Sequence, residues 1–194
     1  MQAKLLLLHA LSPLHAGTGQ GVGVIDLPIA REKATGIPFL PGSSIKGVLR
    51  EACPNDKKVA VFGPDTNNAD LHAGSAQFTD TRLLLLPVRS LAGTFAWVTS
   101  PLLIQRFLRD VSVVSSLQPT TTPAAPPHDQ ACVVADGTAC KLILTQQNAD
   151  RIVLEDLVLT PQKSNALTHW AGWLGAQLFL TDGYWKDSLI ARLC

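Results

Sequence analysis

Residues 13 to 51 gather most of the side chains that could do chemistry. His15 stands first: an imidazole titrates near neutrality, so it could give a proton or contact a phosphate, the alternative being a hydrogen-bonded structural histidine. Gly17, Gly19, Gly21 and Gly23 then alternate, which permits positive φ and lets backbone N–H groups approach a phosphate without Cβ obstruction. No Gly-Lys-Ser/Thr closes this loop and its strict alternation departs from GxGxxG, so neither nucleotide-binding signature is present. Asp26 precedes Leu27-Pro28 and, taken alone, reads as turn chemistry. Arg31 and Lys33 flank Glu32, either to face a ligand or to balance that acid. Ser43 and Ser44 read as helix caps at an N-terminus that attracts phosphate. Lys46 and Arg50, four residues apart, share the outer face of that helix and could hold phosphates, one as a point charge and the other as a fork.

These groups need elements to carry them. Residues 2 to 11 read as a short buried strand ended by Ser12-Pro13. After the glycine loop, Ile45, Val48, Leu49 and Ala52 mark the apolar face of a helix that stops near Cys53-Pro54. Ser75 to Val88 reads as one strand broken at Thr79-Asp80, with Gly93 to Thr99 as its hairpin partner and Asp80 and Arg82 fixing the hairpin. Ser100-Pro101 starts a helix with Leu103, Ile104, Phe107 and Leu108 inward. From Val111 to His128 there is no Lys, Arg, Asp or Glu and four prolines intervene, as in a linker or mobile insertion. Strands follow near Ala131 to Ala135, Lys141 to Thr145 and Arg151 to Leu159. A helix over Asn165 to Leu180 then stacks Leu167, Trp170, Ala171, Leu174 and Leu178. Trp170, Trp173, Tyr184 and Trp185 read as core or contact residues rather than base-stacking platforms. The order predicts an α+β, ferredoxin-like fold of the split βαβ kind, with extra C-terminal helices. Its parts are a palm core at 1–110, a Pro-rich linker at 111–130, and strands completing the palm plus a helical segment at 131–194.

Composition bounds the rest. At 194 residues, 46% hydrophobic and 16% charged, the chain is large enough for a real core, and disordered or collagen-like classes are excluded. The net charge of +1 does not announce a nucleic-acid binder. Its distribution says more, because Lys4, Arg31, Lys33, Lys46 and Arg50 against Asp26 and Glu32 leave the first 50 residues at +3. Cys53, Cys132, Cys140 and Cys194 are widely spaced with no CxxC pair and read as reduced, buried thiols of a cytoplasmic protein. Lys4 before Leu5–Leu8 imitates a signal peptide, but His9 and Ser12-Pro13 interrupt it, and no apolar run approaches membrane-span length.

The stretch PLHAGTGQGVGVIDLPIAREKATGIPFLPGSSIKGVLRE (Pro13 to Glu51) resembles the RAMP superfamily of CRISPR proteins. VFG (Val61 to Gly63), AGSAQFTDTRLLLLPVRSLAGTFAWVTSP (Ala73 to Pro101) and QRFLRD (Gln105 to Asp110) are similar to the backbone subunit of the type III-B, or Cmr, effector complex. Motifs of this length over about 100 residues are specific. Family members continue with an acid-led strand, a hairpin thumb and a glycine-rich closing segment. None of these is visible before Cys194, so the chain is expected to be a truncated, split or degenerate form.

The resemblance implies a palm that stacks in copies along a CRISPR guide RNA, beside other Cmr subunits, and cuts complementary target RNA. It assigns the cleaving carboxylate to Asp26, with Mg²⁺ or another divalent cation whose shell is completed by water and RNA phosphate oxygens. His15 joins the chemistry, and Gly17, Gly19, Arg31, Ser43, Ser44, Lys46 and Arg50 are the RNA-binding candidates. Three rivals stand beside this reading: a guide-binding filament subunit that does not cut, a metal-independent guide-processing RNase using histidine, and a small-molecule enzyme binding a nucleotide phosphate. A single loop-proximal histidine argues against the second, and the absent Lys-Ser/Thr against the third.

Overall fold

A computed structural model describes residues 2–17, 27–68, 70–114, 119, 121–136, 140–178 and 183–194. The chain forms two compact units, one of Ala10–Leu83 and one of Met1–His9 with Leu84–Cys194.

The Ala10–Leu83 unit is built on two helices, α1 (Gly42–Ala52) and α2 (Asn55–Phe62). Cys53-Pro54 separates them, as a proline stops one helix and opens the next. The expected apolar stripe of α1 is present in sequence but not buried: Val48 is 71% and Leu49 37% exposed. Packing depends instead on the C-terminal end of α2. Phe62 is buried and stacks on Phe78 with ring centroids 5.7 Å apart. Ser75 and Ala76 donate backbone bonds to Ala60 and Val61. A Cβ on Gly74 would lie 2.5 Å from the Phe62 carbonyl carbon, so only glycine allows the two backbones to meet there. The VFG and AGSAQF segments are therefore partners in one packing contact.

The second unit carries the sheets. Strands β1 (Leu86–Arg89) and β2 (Phe95–Val98) form an antiparallel hairpin. Helix α3 (Pro101–Val114) follows, started by Ser100, whose hydroxyl accepts from Leu103 N–H at 3.4 Å. Strands β3 (Ala131–Ala135), β4 (Leu144–Gln146), β5 (Ala149–Leu154) and β6 (Leu157–Ser164) make a sheet in the order β3-β6-β5-β4, with β3 and β6 parallel. Ser90 bridges Leu154, joining the β1–β2 hairpin to β5. Helices α4 (Asn165–Leu178) and α5 (Gly183–Arg192) close the chain. Val133, Trp97, Ile104, Phe107, Leu167, Trp170 and Leu174 form one core under the helices. Cys132, Val134, Ala96, Leu142, Ile152 and Leu154 form another. Alternation along β3 sends Val133 to the first and its neighbours to the second.

Several sequence expectations change. Residues 2–11 form no strand: Leu7 packs on the core and His9 meets Trp97 edge-on at 6.0 Å, while Leu6 is 58% exposed. A run of identical leucines carries no register, and one edge of β2 is filled by the chain's own end, through Trp97–Leu193 and Thr99–Cys194 pairing. Only the last residues of Ser75–Val88 are strand. Arg151 to Leu159 is two strands rather than one, because Leu154 pairs with Leu157 across a two-residue turn with Glu155 at φ 52. That reversal explains why its apolar residues do not alternate. Helix α3 runs to Val114, four residues into the uncharged segment. Residues 179 and 180, expected in the last helix, lie outside the described residues.

Candidate functional site

The loop from His15 onward is closed at its base. Gly17 bridges Ile29, and Ala30 N–H donates to the Ala16 carbonyl at 2.8 Å, with Ala30 fully buried. His15 Nε2 lies 2.7 Å from the Leu27 carbonyl oxygen. A carbonyl only accepts, so Nε2 carries the proton and Nδ1 is the ring atom left for another partner. A Cβ on Gly17 would fall 2.8 Å from Leu27 Cβ, so glycine at 17 is what lets the strand ends close. Leu27 itself sits at φ 51, a conformation that a branched side chain adopts only when its surroundings hold it. Gly19 and Asp26 lie outside the described residues. Asp26 is nevertheless bonded to Leu27, which puts it next in the chain to the residue that His15 holds.

Arg31 pairs with Pro38 across a hairpin, and its Nη1 donates to the Gly36 carbonyl at 2.8 Å, leaving the guanidinium exposed. Gly36, at φ 69, turns this hairpin. Glu32 accepts from the Thr35 hydroxyl at 2.6 Å, so it is tied within the turn.

Ser43 and Ser44 are not caps. Helix α1 begins at Gly42 after Pro41, and no side chain at the N-cap position bonds back into the first turn. The Asp80 carboxylate takes that role from a distant segment, accepting from Gly42 N–H at 2.8 Å. Thr81 Oγ1 accepts from Leu40 N–H at 2.9 Å, and Thr81 N–H donates to the Leu40 carbonyl. Gly42 is buried so closely that a Cβ would lie 2.5 Å from the Phe78 carbonyl oxygen. Asp80 therefore seats α1 rather than a strand hairpin, and its negative charge occupies the helix end that was expected to attract phosphate. Ser43 and Ser44, one and two residues further in, are exposed. Asp80→Ala should destabilise the chain by about 1 kcal/mol, the usual loss for a helix cap, read as a lower denaturant midpoint. An unchanged midpoint would remove Asp80 from this role.

Lys46 and Arg50 part company. Arg50 Nη1 donates to the Gly63 carbonyl at 2.7 Å and Nη2 pairs with Asp65 Oδ1 at 2.6 Å, leaving 22% of the side chain exposed. It ties α1 to the loop after α2. Arg50 and Asp65, with Pro64 and Asn67, line an open cavity of about 510 Å³. Lys46 is half-buried and makes no such bond among the described residues.

Trp170 is fully buried and Trp173 packs against the same core, edge-on to Phe107 at 6.0 Å. The side chains of Tyr184 and Trp185 lie outside the described residues. Among the described residues, no group of three or more His, Cys, Asp or Glu is placed to hold a metal ion, and no helix is long and apolar enough to cross a membrane.

The RAMP superfamily model matches residues 7–168, a span that contains the whole loop and the start of α1. The chain belongs to the RAMP superfamily. This RAMP chain is 38% identical over 169 residues to the CRISPR system Cmr endoribonuclease Cmr4 of Pyrococcus furiosus, covering 81% of the chain and 57% of that relative. The crystal structure of oligomeric Cmr4 from Pyrococcus furiosus superposes with TM-score 0.67 at 30% identity, over 94% of this chain and 64% of that one. A type III-B Cmr-beta complex bound to cognate target RNA, seen by cryo-EM, gives TM-score 0.54 at 21% identity over 77% and 55% of the two chains, a likeness of fold alone. The chain thus spans less than two thirds of the length of these relatives. Its α+β architecture is the ferredoxin-like palm of the RAMP proteins.

Proposed function

We propose that this RAMP chain is a guide-RNA-binding backbone subunit of a type III-B effector complex, acting in the cytoplasm with further copies of itself and other Cmr subunits to cut complementary target RNA. The observation that carries the reading is the 38% identity to a Cmr endoribonuclease, and a loop base closed between His15 and Leu27 is compatible with it. Base pairing selects the target, so the protein needs only to contact phosphate, sugar and A-form shape. A chain of net charge +1 is compatible with that division of labour.

Within this reading, Asp26 is the catalytic carboxylate. Mg²⁺ or another divalent cation held there, with water and RNA phosphate oxygens, would supply Lewis-acid stabilisation of charge at the scissile phosphate. His15, with Nε2 committed to Leu27, orients the loop mouth and offers Nδ1 to the RNA. Exposed Arg31 and the hydroxyls of Ser43 and Ser44 line the same unit as Lys46, which is the cation best able to hold guide phosphate. Arg50, already neutralised by Asp65, contributes mainly by holding α1 in place.

RNA of defined length carried by the purified chain, seen in the absorbance ratio and on a denaturing gel, is the expected result; RNA-free protein that ignores added guide would overturn the reading. Lys46→Ala should weaken binding of guides of unrelated sequence about equally and flatten the plot of log affinity against log salt by roughly one phosphate contact. Arg50→Ala should change that slope less and lower stability more. A loss confined to one guide sequence would show that Lys46 reads bases.

A further inference from the structure

Three of the four cysteines, far apart in sequence, meet in the sheet-bearing unit. Cys132 lies on β3, 5% exposed, among Ala96, Val134, Leu142, Ile152 and Leu154, and Cys140 and Cys194 pack partly buried against the same cluster. All are free thiols. The backbone of Cys194 is held at the edge of β2, its N–H donating to Trp97 O at 2.9 Å and its carbonyl accepting from Thr99 N–H at 3.0 Å. The register of β3 is fixed by its parallel pairing with β6, Cys132 opposite Pro161. Two anchored backbones thus hold Cys132 and Cys194 in one packed cluster. Hydrogen bonding between the two thiols holds that of Cys132 below its ordinary range, against the effect of burial, and pushes that of Cys194 up, with burial adding to the rise. Among the described residues the group is not placed to hold a metal ion.

We propose that Cys132 and Cys194 are a reversible oxidation site, at which a small peroxide oxidises Cys132 and Cys194 resolves the product to a disulfide. The Cys132 thiolate attacks one peroxide oxygen, the O–O bond breaks, and the departing hydroxide takes a proton to leave as water, giving the sulfenic acid. The Cys194 sulfur then attacks the Cys132 sulfur, the S–O bond breaks, and hydroxide leaves with the Cys194 proton as a second water. In sum, two thiols and one hydrogen peroxide become one disulfide and two waters, and a thiol reductant reverses the change. A small oxidant suits a sulfur that is 5% exposed. The disulfide would tie the Leu193–Cys194 edge to β3 across the inner core.

The test treats the purified chain with hydrogen peroxide, then alkylates it under denaturing conditions. Two of its four cysteines should become unreactive until dithiothreitol is added, with a mass lower by two hydrogen atoms. Digestion after Asp and Glu cuts at Asp129, Asp136, Asp150 and Asp187, placing Cys132, Cys140 and Cys194 on separate peptides. The expected crosslinked pair contains Cys132 and Cys194. Cys194→Ala should lose the crosslink and leave Cys132 trappable by dimedone, and Cys53→Ala should change nothing. The wild-type peptide map decides the matter even if Cys132→Ala folds poorly. Four reactive thiols after peroxide, or a crosslink through Cys140, would overturn the proposal.

Discussion

Replacing Asp26 with asparagine or alanine should remove cleavage of complementary RNA by the assembled complex proposed above, while guide binding persists. The expected loss is about 100-fold or more, the scale on which one charge-stabilising group registers in an active site. Asparagine keeps the volume and hydrogen-bonding capacity of the side chain and discards only its charge, so equal loss in both variants identifies the charge as the part that matters. Folding should be spared. The loop's base is held by the Gly17–Ile29 bridge, the Ala30–Ala16 bond and the His15–Leu27 contact, none of which uses the Asp26 carboxylate. EDTA should silence the wild-type complex and Mg²⁺ restore it. Undiminished cutting by Asp26→Asn would leave a guide-binding filament subunit without a catalytic role here. Cutting that EDTA does not touch would point instead to histidine acid–base chemistry and make His15→Ala the decisive variant.

A loss of another kind is expected at Trp170, and its readout is stability. The side chain is fully buried where α3, α4 and α5 converge, beside Leu167, Ala171, Leu174 and Leu189. Trp170→Ala should destabilise the chain by about 3–5 kcal/mol, a large share of the 5–15 kcal/mol typical of a folded domain, and so yield protein that is largely unfolded or aggregated. Trp170→Phe should be far milder. Trp170 Nε1 is buried without a hydrogen-bond partner among the described residues, and phenylalanine removes that unsatisfied N–H, offsetting part of the lost packing. Denaturant melts of the two variants check the ordering. A tolerated alanine would mean that Trp170 faces a cavity or a ligand, and would reopen its role as a stacking platform.

The sequence by itself determined the family and the elements that announce themselves locally. Ser100-Pro101 opens α3 at the expected place because cap and N1 proline act within one turn. The stripe of Leu167, Trp170, Ala171 and Leu174 in α4 is buried as its spacing predicts, since a helix needs no partner to set its period. Only the tertiary structure decided what depends on distant segments. Asp80 caps α1 from 38 residues away, Arg50 spends its guanidinium on Gly63 and Asp65, and Cys132 finds Cys194 across the inner core. The leading leucines form no strand because a strand exists only where another backbone offers its edge, and the chain's last residues occupy one edge of β2. Arg151 to Leu159 hides a turn for a related reason: Glu155 adopts a positive φ that its side chain does not advertise, and the pairing of Leu154 with Leu157 imposes it. Helical period, caps and loop chemistry are properties of neighbours in sequence. Ion pairs, strand edges and thiol contacts are properties of neighbours in space, and charge or apolarity at a position does not say which partner will claim it.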